Sequence, residues 1–268
     1  MIKVEKDFSD VPEILNNQKR EDAFNSNVSD EAFNHGKTLY KPQELKNRLH
    51  VIYNKKCVYC EDTLLNSPKH IEHYRPKDIY FWLAYSWDNL LLCCTSCNGS
   101  KGVNFETRNQ RVTYNSEIFE NIHNLGNSYD ELEKPMLINP EKEDIQADLI
   151  FNRDSNISSE NPRVDYTIET CNLNREELRE LREEIVEDFI GLVNEYHLLF
   201  DENNNQGKRE SVKGLILIVK QFIQKCNKEK KFYSLRYFIL SNIDIFVQNI
   251  EMKSIVNSLI VKLRTDEN

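Results

Sequence analysis

A chain of 268 residues with 39% apolar and 29% charged residues can bury a sizeable core as one large domain or two small ones. Its formal charge of -9 excludes a protein that is basic throughout, and no apolar run is long enough for a membrane span. The start, MIKVEKDFSDVPEIL, has acidic residues where a secretion signal needs an apolar stretch, so the expected compartment is the cytoplasm. Charge is uneven along the chain. Residues 37–111 hold twelve Lys plus Arg against seven Asp plus Glu, a local +5, so the remainder carries -14. A basic segment inside an acidic chain fits a polyanion site in one part and a different task for the rest.

Four regions follow in order. Residues 1–36 read as an irregular N-terminal arm, because DFSDVP and FNSNVSD are turn and cap material without a sustained period. Residues 37–111 begin with a short amphipathic helix on which Leu45, Leu49 and Ile52 share a face, and Ile71 to Cys93 suits a hairpin. Residues 112–170 read as a connector with two short strands, since LGNS and KPMLINPEKED punctuate its apolar runs. Residues 171–268 turn helical. Asn174 and Glu177 resemble a capping box, and Leu178, Leu181, Ile185, Phe189, Leu192, Tyr196 and Leu199 follow in steps of three or four. DENNNQG ends that helix, and SVKGLILIVKQFIQKC, FYSLRYFILSNI and IFVQNIEMKSIVNSLIVKL supply two or three more, whose apolar stripes need each other or a protein partner. The expected class is therefore α+β and mainly helical.

Seven cysteines in a reducing compartment point to metal or redox chemistry before disulfides. Cys57-x-x-Cys60 and Cys94-x-x-Cys97 are two pairs with 33 residues between them, and four thiolates so grouped suit a tetrahedral structural Zn²⁺. Such a closed site leaves no position for substrate, so chemistry must come from elsewhere. Cys93, Cys171 and Cys226 read as core thiols. Between the pairs lies HIEHYRPK, residues 70–77. Glu72 can bind a hard divalent cation while a neutral His73 takes a proton from water, although an adjacent Glu-His pair taken alone is more often a surface feature. Arg75, Lys77 and Lys101 stand beside the pair in sequence and are candidate phosphate contacts, with solvated surface charge as the alternative. His70 reads as a supporting residue. Tyr80, Trp82, Tyr85 and Trp87 fit a core better than a base-stacking platform.

Glu72-His73, then Asp88-Asn89-Leu90, then Cys94-x-x-Cys97-Asn98-x-x-Lys101-Gly102 resembles the HNH endonuclease family with its zinc-stapled ββα-metal core. Glu stands where that family more often has Asp. The resemblance implies that Glu72 and Asn98 hold a catalytic Mg²⁺ or Mn²⁺, that His73 is the general base, and that Asn89 orients His73 or its loop. A longer match runs from residue 37 to about 182 through CVYCE, IEHYRPK, AYSWDNLLL, PMLINP and TIETCNLNREELRELR. It is similar to the PtuB family, nuclease subunits of Septu anti-phage systems that also occur beside retrons. That resemblance implies nucleic-acid hydrolysis, with DNA favoured over RNA, and a hetero-oligomer with an ABC-type ATPase of the PtuA kind, which the acidic helices would bind. The alternatives are a free-standing restriction-like HNH nuclease and a non-catalytic, zinc-scaffolded nucleic-acid adaptor.

Overall fold

The computed structural model describes residues 1–15, 17–29, 32–33, 42–115, 122–198 and 205–265. Leu199 and the first four residues of DENNNQG, taken above as a helix end and its breaker, lie outside them. The fold is α+β and mainly helical, as expected. The chain forms two compact units, one from Met1–Asp148 with Ser159–Leu173, the other from Leu149–Ser158 with Asn174–Asn268.

In the first unit the leading residues are docked on the core. Met1, Ile2 and Leu15 are buried, and the enclosed Lys6 ammonium donates to the carbonyls of Trp87 and Leu90 at 2.8 Å while pairing with Glu141 at 2.7 Å. Helix α1 (Asn17–Asn27) follows, its Phe24 ring packed 6.2 Å from Phe81. Only Ala23 and Phe24 are apolar in NQKREDAFNSN, so no helical period marks it in the sequence. A short antiparallel pair, β1 (Val28–Ser29) with β2 (Ala32–Phe33), comes next. Helix α2 (Gln43–Ile52) buries Leu45 and Leu49, two of the three residues whose spacing predicts it, against the second hairpin strand.

The expected hairpin is β3 (His70–His73) paired antiparallel with β4 (Leu90–Cys93), with His70 opposite Cys93 and His73 opposite Leu90. Its long connection turns through two 3-10 segments, Phe81–Leu83 and Trp87–Asn89. There Tyr80, Trp82, Tyr85 and Trp87 are all buried, so these rings build core. Every β4 residue is buried, which is why LLLC shows no alternation. Helix α3 (Thr95–Lys101) starts on Cys94, whose sulfur accepts the Cys97 N–H, and stops at Gly102, where a φ of 47° favours glycine. Helix α4 (Gly126–Glu133) has its first N–H bonded to Asp88 Oδ2 at 2.7 Å; a methyl group on Gly126 would sit 2.7 Å from that same oxygen. Helix α5 (Pro162–Thr170) carries Pro at its start and an Asn161 cap, and its Thr167 hydroxyl accepts the Ile138 N–H at 2.9 Å.

The second unit begins with the antiparallel pair β5 (Ile150–Phe151) and β6 (Ile157–Ser158). Helices α6 (Glu176–Leu198), α7 (Asn205–Lys225), α8 (Tyr233–Ser241), α9 (Ile243–Phe246) and α10 (Ile250–Thr265) complete it. Leu178, Ile185, Phe189 and Val193 form the buried stripe of α6, and Phe189 stacks on Phe222 of α7 with centroids 4.0 Å apart. The two helices approach closely at Gly214, where a methyl group would meet the Tyr196 ring at 2.0 Å. Asn174 spends its side chain on β6 and not on the expected cap: Oδ1 accepts the Ile157 N–H at 2.7 Å and Nδ2 donates to the Ile157 carbonyl at 2.8 Å. A short polar side chain before a helix serves either purpose, and only the strand's position decides.

Candidate metal and nuclease site

Two tight turns bring four sulfurs together. Cys57 and Cys60 flank one turn, in which the Glu61 N–H reaches the Cys57 carbonyl; Cys94 and Cys97 open α3. All four Sγ atoms lie within 4.8 Å of one another, and Cys60 and Cys94 are 3.9 Å apart. A tetrahedral Zn²⁺ with Zn–S bonds of about 2.3 Å requires sulfur separations of about 3.8 Å, so the cluster fits a zinc ion. Hydrogen bonds from Cys57, Cys60 and Cys97 pull the Cys94 thiol below its ordinary range, which favours the thiolate form that a metal ion requires. Cys93 is buried and is not among the four clustered sulfurs; its own sulfur lies 3.9 Å from Asn98 Oδ1.

Beside the cluster is a cleft of about 280 Å³ lined by His70, Glu72, His73, Lys77, Asp78 and Asn98. Strand β3 delivers Glu72 and His73 at its end, and α3 delivers Asn98 one residue after Cys97. The strand end lets two adjacent side chains reach one cavity, as neighbours within a regular strand do not. His73 is buried, and its Nε2–H donates to the Ala84 carbonyl at 3.0 Å, which leaves the basic lone pair on Nδ1. Burial pushes its pKa down to about 3, so the ring is neutral across the physiological range. Burial pushes the Glu72 carboxyl up, opposed by the Lys101 ammonium 2.5 Å from Oε1. His70 supports the rim through Thr95 Oγ1 at 3.0 Å. Among the described residues only the four cysteines gather three or more Cys, His or carboxylate ligand atoms at metal-binding distance. Glu72 and Asn98 are the oxygen donors in the cleft that could hold a hard divalent cation such as Mg²⁺ or Mn²⁺.

Asn89 lies outside the cleft and acts on the chain that leaves it. Its Oδ1 accepts the Arg75 N–H, while Nδ2 donates to the carbonyls of Arg75 and Leu83. Two of the three expected phosphate contacts need correction. Arg75 is 2% exposed: Nε donates to Glu133 Oε2 at 2.9 Å, a terminal nitrogen donates to Asp130 Oδ1 at 2.7 Å, and its guanidinium lies among the Tyr74, Tyr80, Phe105 and Tyr129 rings. Lys101 is 0% exposed and donates to the His73 carbonyl at 2.9 Å. Their place beside the motif in sequence suggests phosphate contacts, yet each has a buried carboxylate that sequence cannot assign to it. Lys77 keeps its place at the cleft wall, paired with Asp78 at 3.0 Å. Asp78 is a cleft residue that sequence reasoning missed; the only signal was its position next to Lys77.

A hairpin and a helix beside four clustered sulfurs bring carboxylate, imidazole and carboxamide into one cleft, and residues 57–104 match the HNH endonuclease family. The chain is similar to the Septu protein PtuB of Bacillus mycoides (strain KBAB4), 31% identical over 169 residues, covering 56% of this chain and 53% of that protein. It is 39% identical over 77 residues to the Septu protein PtuB of Bacillus thuringiensis, covering 28% and 30% respectively. It is also 23% identical over 202 residues to the Septu protein PtuA of Bacillus mycoides (strain KBAB4), covering 70% of this chain and 25% of that protein. The chain thus spans about half or less of the curated relatives it matches. No solved structure matches it. Among the described residues no helix is long and apolar enough to cross a membrane.

Proposed function

We propose that the first unit hydrolyses phosphodiester bonds of nucleic acid, with DNA the favoured substrate, and that the chain acts in anti-phage defence as the nuclease subunit of a Septu-type complex. The observation that carries this reading is the meeting of Glu72, His73 and Asn98 in one cleft beside the four sulfurs. His73, neutral and fixed by Ala84, accepts a proton from the attacking water at Nδ1. Glu72 and Asn98 would hold the divalent cation, which when bound neutralises charge developing on the phosphate oxygens. Lys77 supplies a backbone contact at the cleft wall. Asn89 holds the loop that follows His73.

Cleavage of plasmid DNA and of a structured RNA by the purified chain with Mg²⁺ or Mn²⁺ tests the chemistry. The wild type should cut, and His73→Ala should lose at least about 100-fold in rate while retaining its zinc. Cutting that survives this substitution would overturn the assignment of the base. A non-catalytic adaptor would bind nucleic acid without cutting under any metal.

Similarity to proteins named Septu PtuB and PtuA supports an ABC-type ATPase as partner, as does apolar surface on the helical unit at Leu192, Leu217, Ile250 and Val261. Light scattering of the chain alone and mixed with a PtuA-like ATPase should show a hetero-oligomer. Separate elution at micromolar concentration would favour the free-standing nuclease.

A further inference from the structure

Lys101 ends α3 one turn after Asn98, and its side chain runs under the cleft to reach the strand opposite. The ammonium meets Glu72 Oε1 at 2.5 Å, the His73 carbonyl at 2.9 Å and, more distantly, the Gly102 carbonyl at 3.5 Å. Three N–H groups thus face three acceptors, two of them on β3. Removing an ammonium and a carboxylate from water is costly unless each is paired and hydrogen bonded, and this arrangement meets that condition. It has a directional result as well. Binding one Glu72 oxygen fixes the carboxylate's rotamer, and binding the His73 carbonyl fixes the peptide from which the imidazole projects.

We propose that Lys101 is a positioning residue that locks the strand carrying Glu72 and His73 to the helix carrying Asn98, and that it makes no contact with substrate phosphate. Its effect on cleavage rests on the nuclease reading; its coupling to Glu72 does not. The full-length, zinc-loaded chain is compared with Lys101→Met, Glu72→Gln and the double variant. Thermal melts should show coupling, with the double variant losing clearly less than the sum of the two single losses, because each single change strands one buried partner. In cleavage of an oligonucleotide, Lys101→Met should lower kcat tenfold or more and move KM less than twofold. The salt dependence of duplex binding should keep its slope, whereas loss of a phosphate contact would reduce that slope by about one.

Additive thermal losses would overturn the proposal, and so would a reduced salt slope with kcat retained. If the wild type cuts nothing, the nuclease reading fails and the melts still decide the role of Lys101. If Lys101→Met does not fold, folding of the double variant supports the proposal and failure of both refutes it.

Discussion

The Asn89 carboxamide grips the Arg75 peptide on both sides, accepting its N–H at 2.7 Å and donating to its carbonyl at 3.0 Å. With the Asn89 carbonyl also accepting the Tyr74 N–H at 2.9 Å, the chain leaving His73 is pinned to the turn that opens β4. Asn89→Asp keeps the acceptor and loses the donor, leaving buried carbonyls unmatched beside a charge. We expect a loss of about 1–3 kcal/mol in urea unfolding together with reduced cleavage. Unchanged stability would show that the clamp is dispensable.

Arg75 offers a second test, because it sits where a phosphate ligand was expected and is instead enclosed by Asp130 and Glu133. Arg75→Met strands a buried carboxylate, so stability should fall by about 3–5 kcal/mol. At temperatures where the variant remains folded, the salt slope of DNA binding should match the wild type. A slope lower by about one would restore the phosphate role.

Metal removal should separate the two units. A chelator strong enough to strip zinc, or Cys97→Ser, should abolish the roughly one equivalent of zinc read by elemental analysis and unfold the hairpin core. Helical ellipticity from α6 to α10 should persist. Full retention of the aromatic near-ultraviolet signal without zinc would refute a structural role for the ion.

His123 sets an acid limit on the first unit. Its Nδ1 accepts the Trp87 N–H at 2.9 Å and its Nε2–H donates to the Leu15 carbonyl at 3.1 Å, a pattern only the neutral ring completes. Burial, aided by Arg20, pushes its pKa from an ordinary 6.5 to about 4. A base with a depressed folded pKa binds more protons when unfolded, so stability is complete above pH 6.5 and declines as pH falls toward 4. The decline amounts to at most about 3 kcal/mol. His123→Gln should flatten this part of the melting curve's pH dependence, and an unaltered profile would exclude His123 as its source.

Local repetition is what sequence displays well. The paired cysteines and the long α6 stripe repeat at spacings that thiolate coordination and helices require, while the unbroken apolar run LLLC marks a buried strand by composition alone. Long-range pairing left no such mark. Arg75 finds its carboxylates 55 and 58 residues away, and nothing near Arg75 separates it from a solvent-facing arginine. Asn174 and Asn89 show the same gap: each carboxamide holds a peptide 17 or 14 residues away, a choice fixed by strand placement and not by neighbours. Helix α1 escaped because it is anchored by one ring and one buried arginine, too few for a period.

The docking of Lys6 orders the birth of the molecule. A chain made from its N-terminus exposes this lysine first, yet its carbonyl partners lie 81 and 84 residues downstream and its carboxylate, Glu141, emerges later still. Thr167, which takes the Ile138 N–H, comes after that. On the ribosome the hairpin and its cysteines are therefore complete well before the walls around them, and the first unit closes only when residues near 173 leave the exit tunnel. During that interval the hairpin stands without Glu141 and Thr167, the later partners that complete the packing around it.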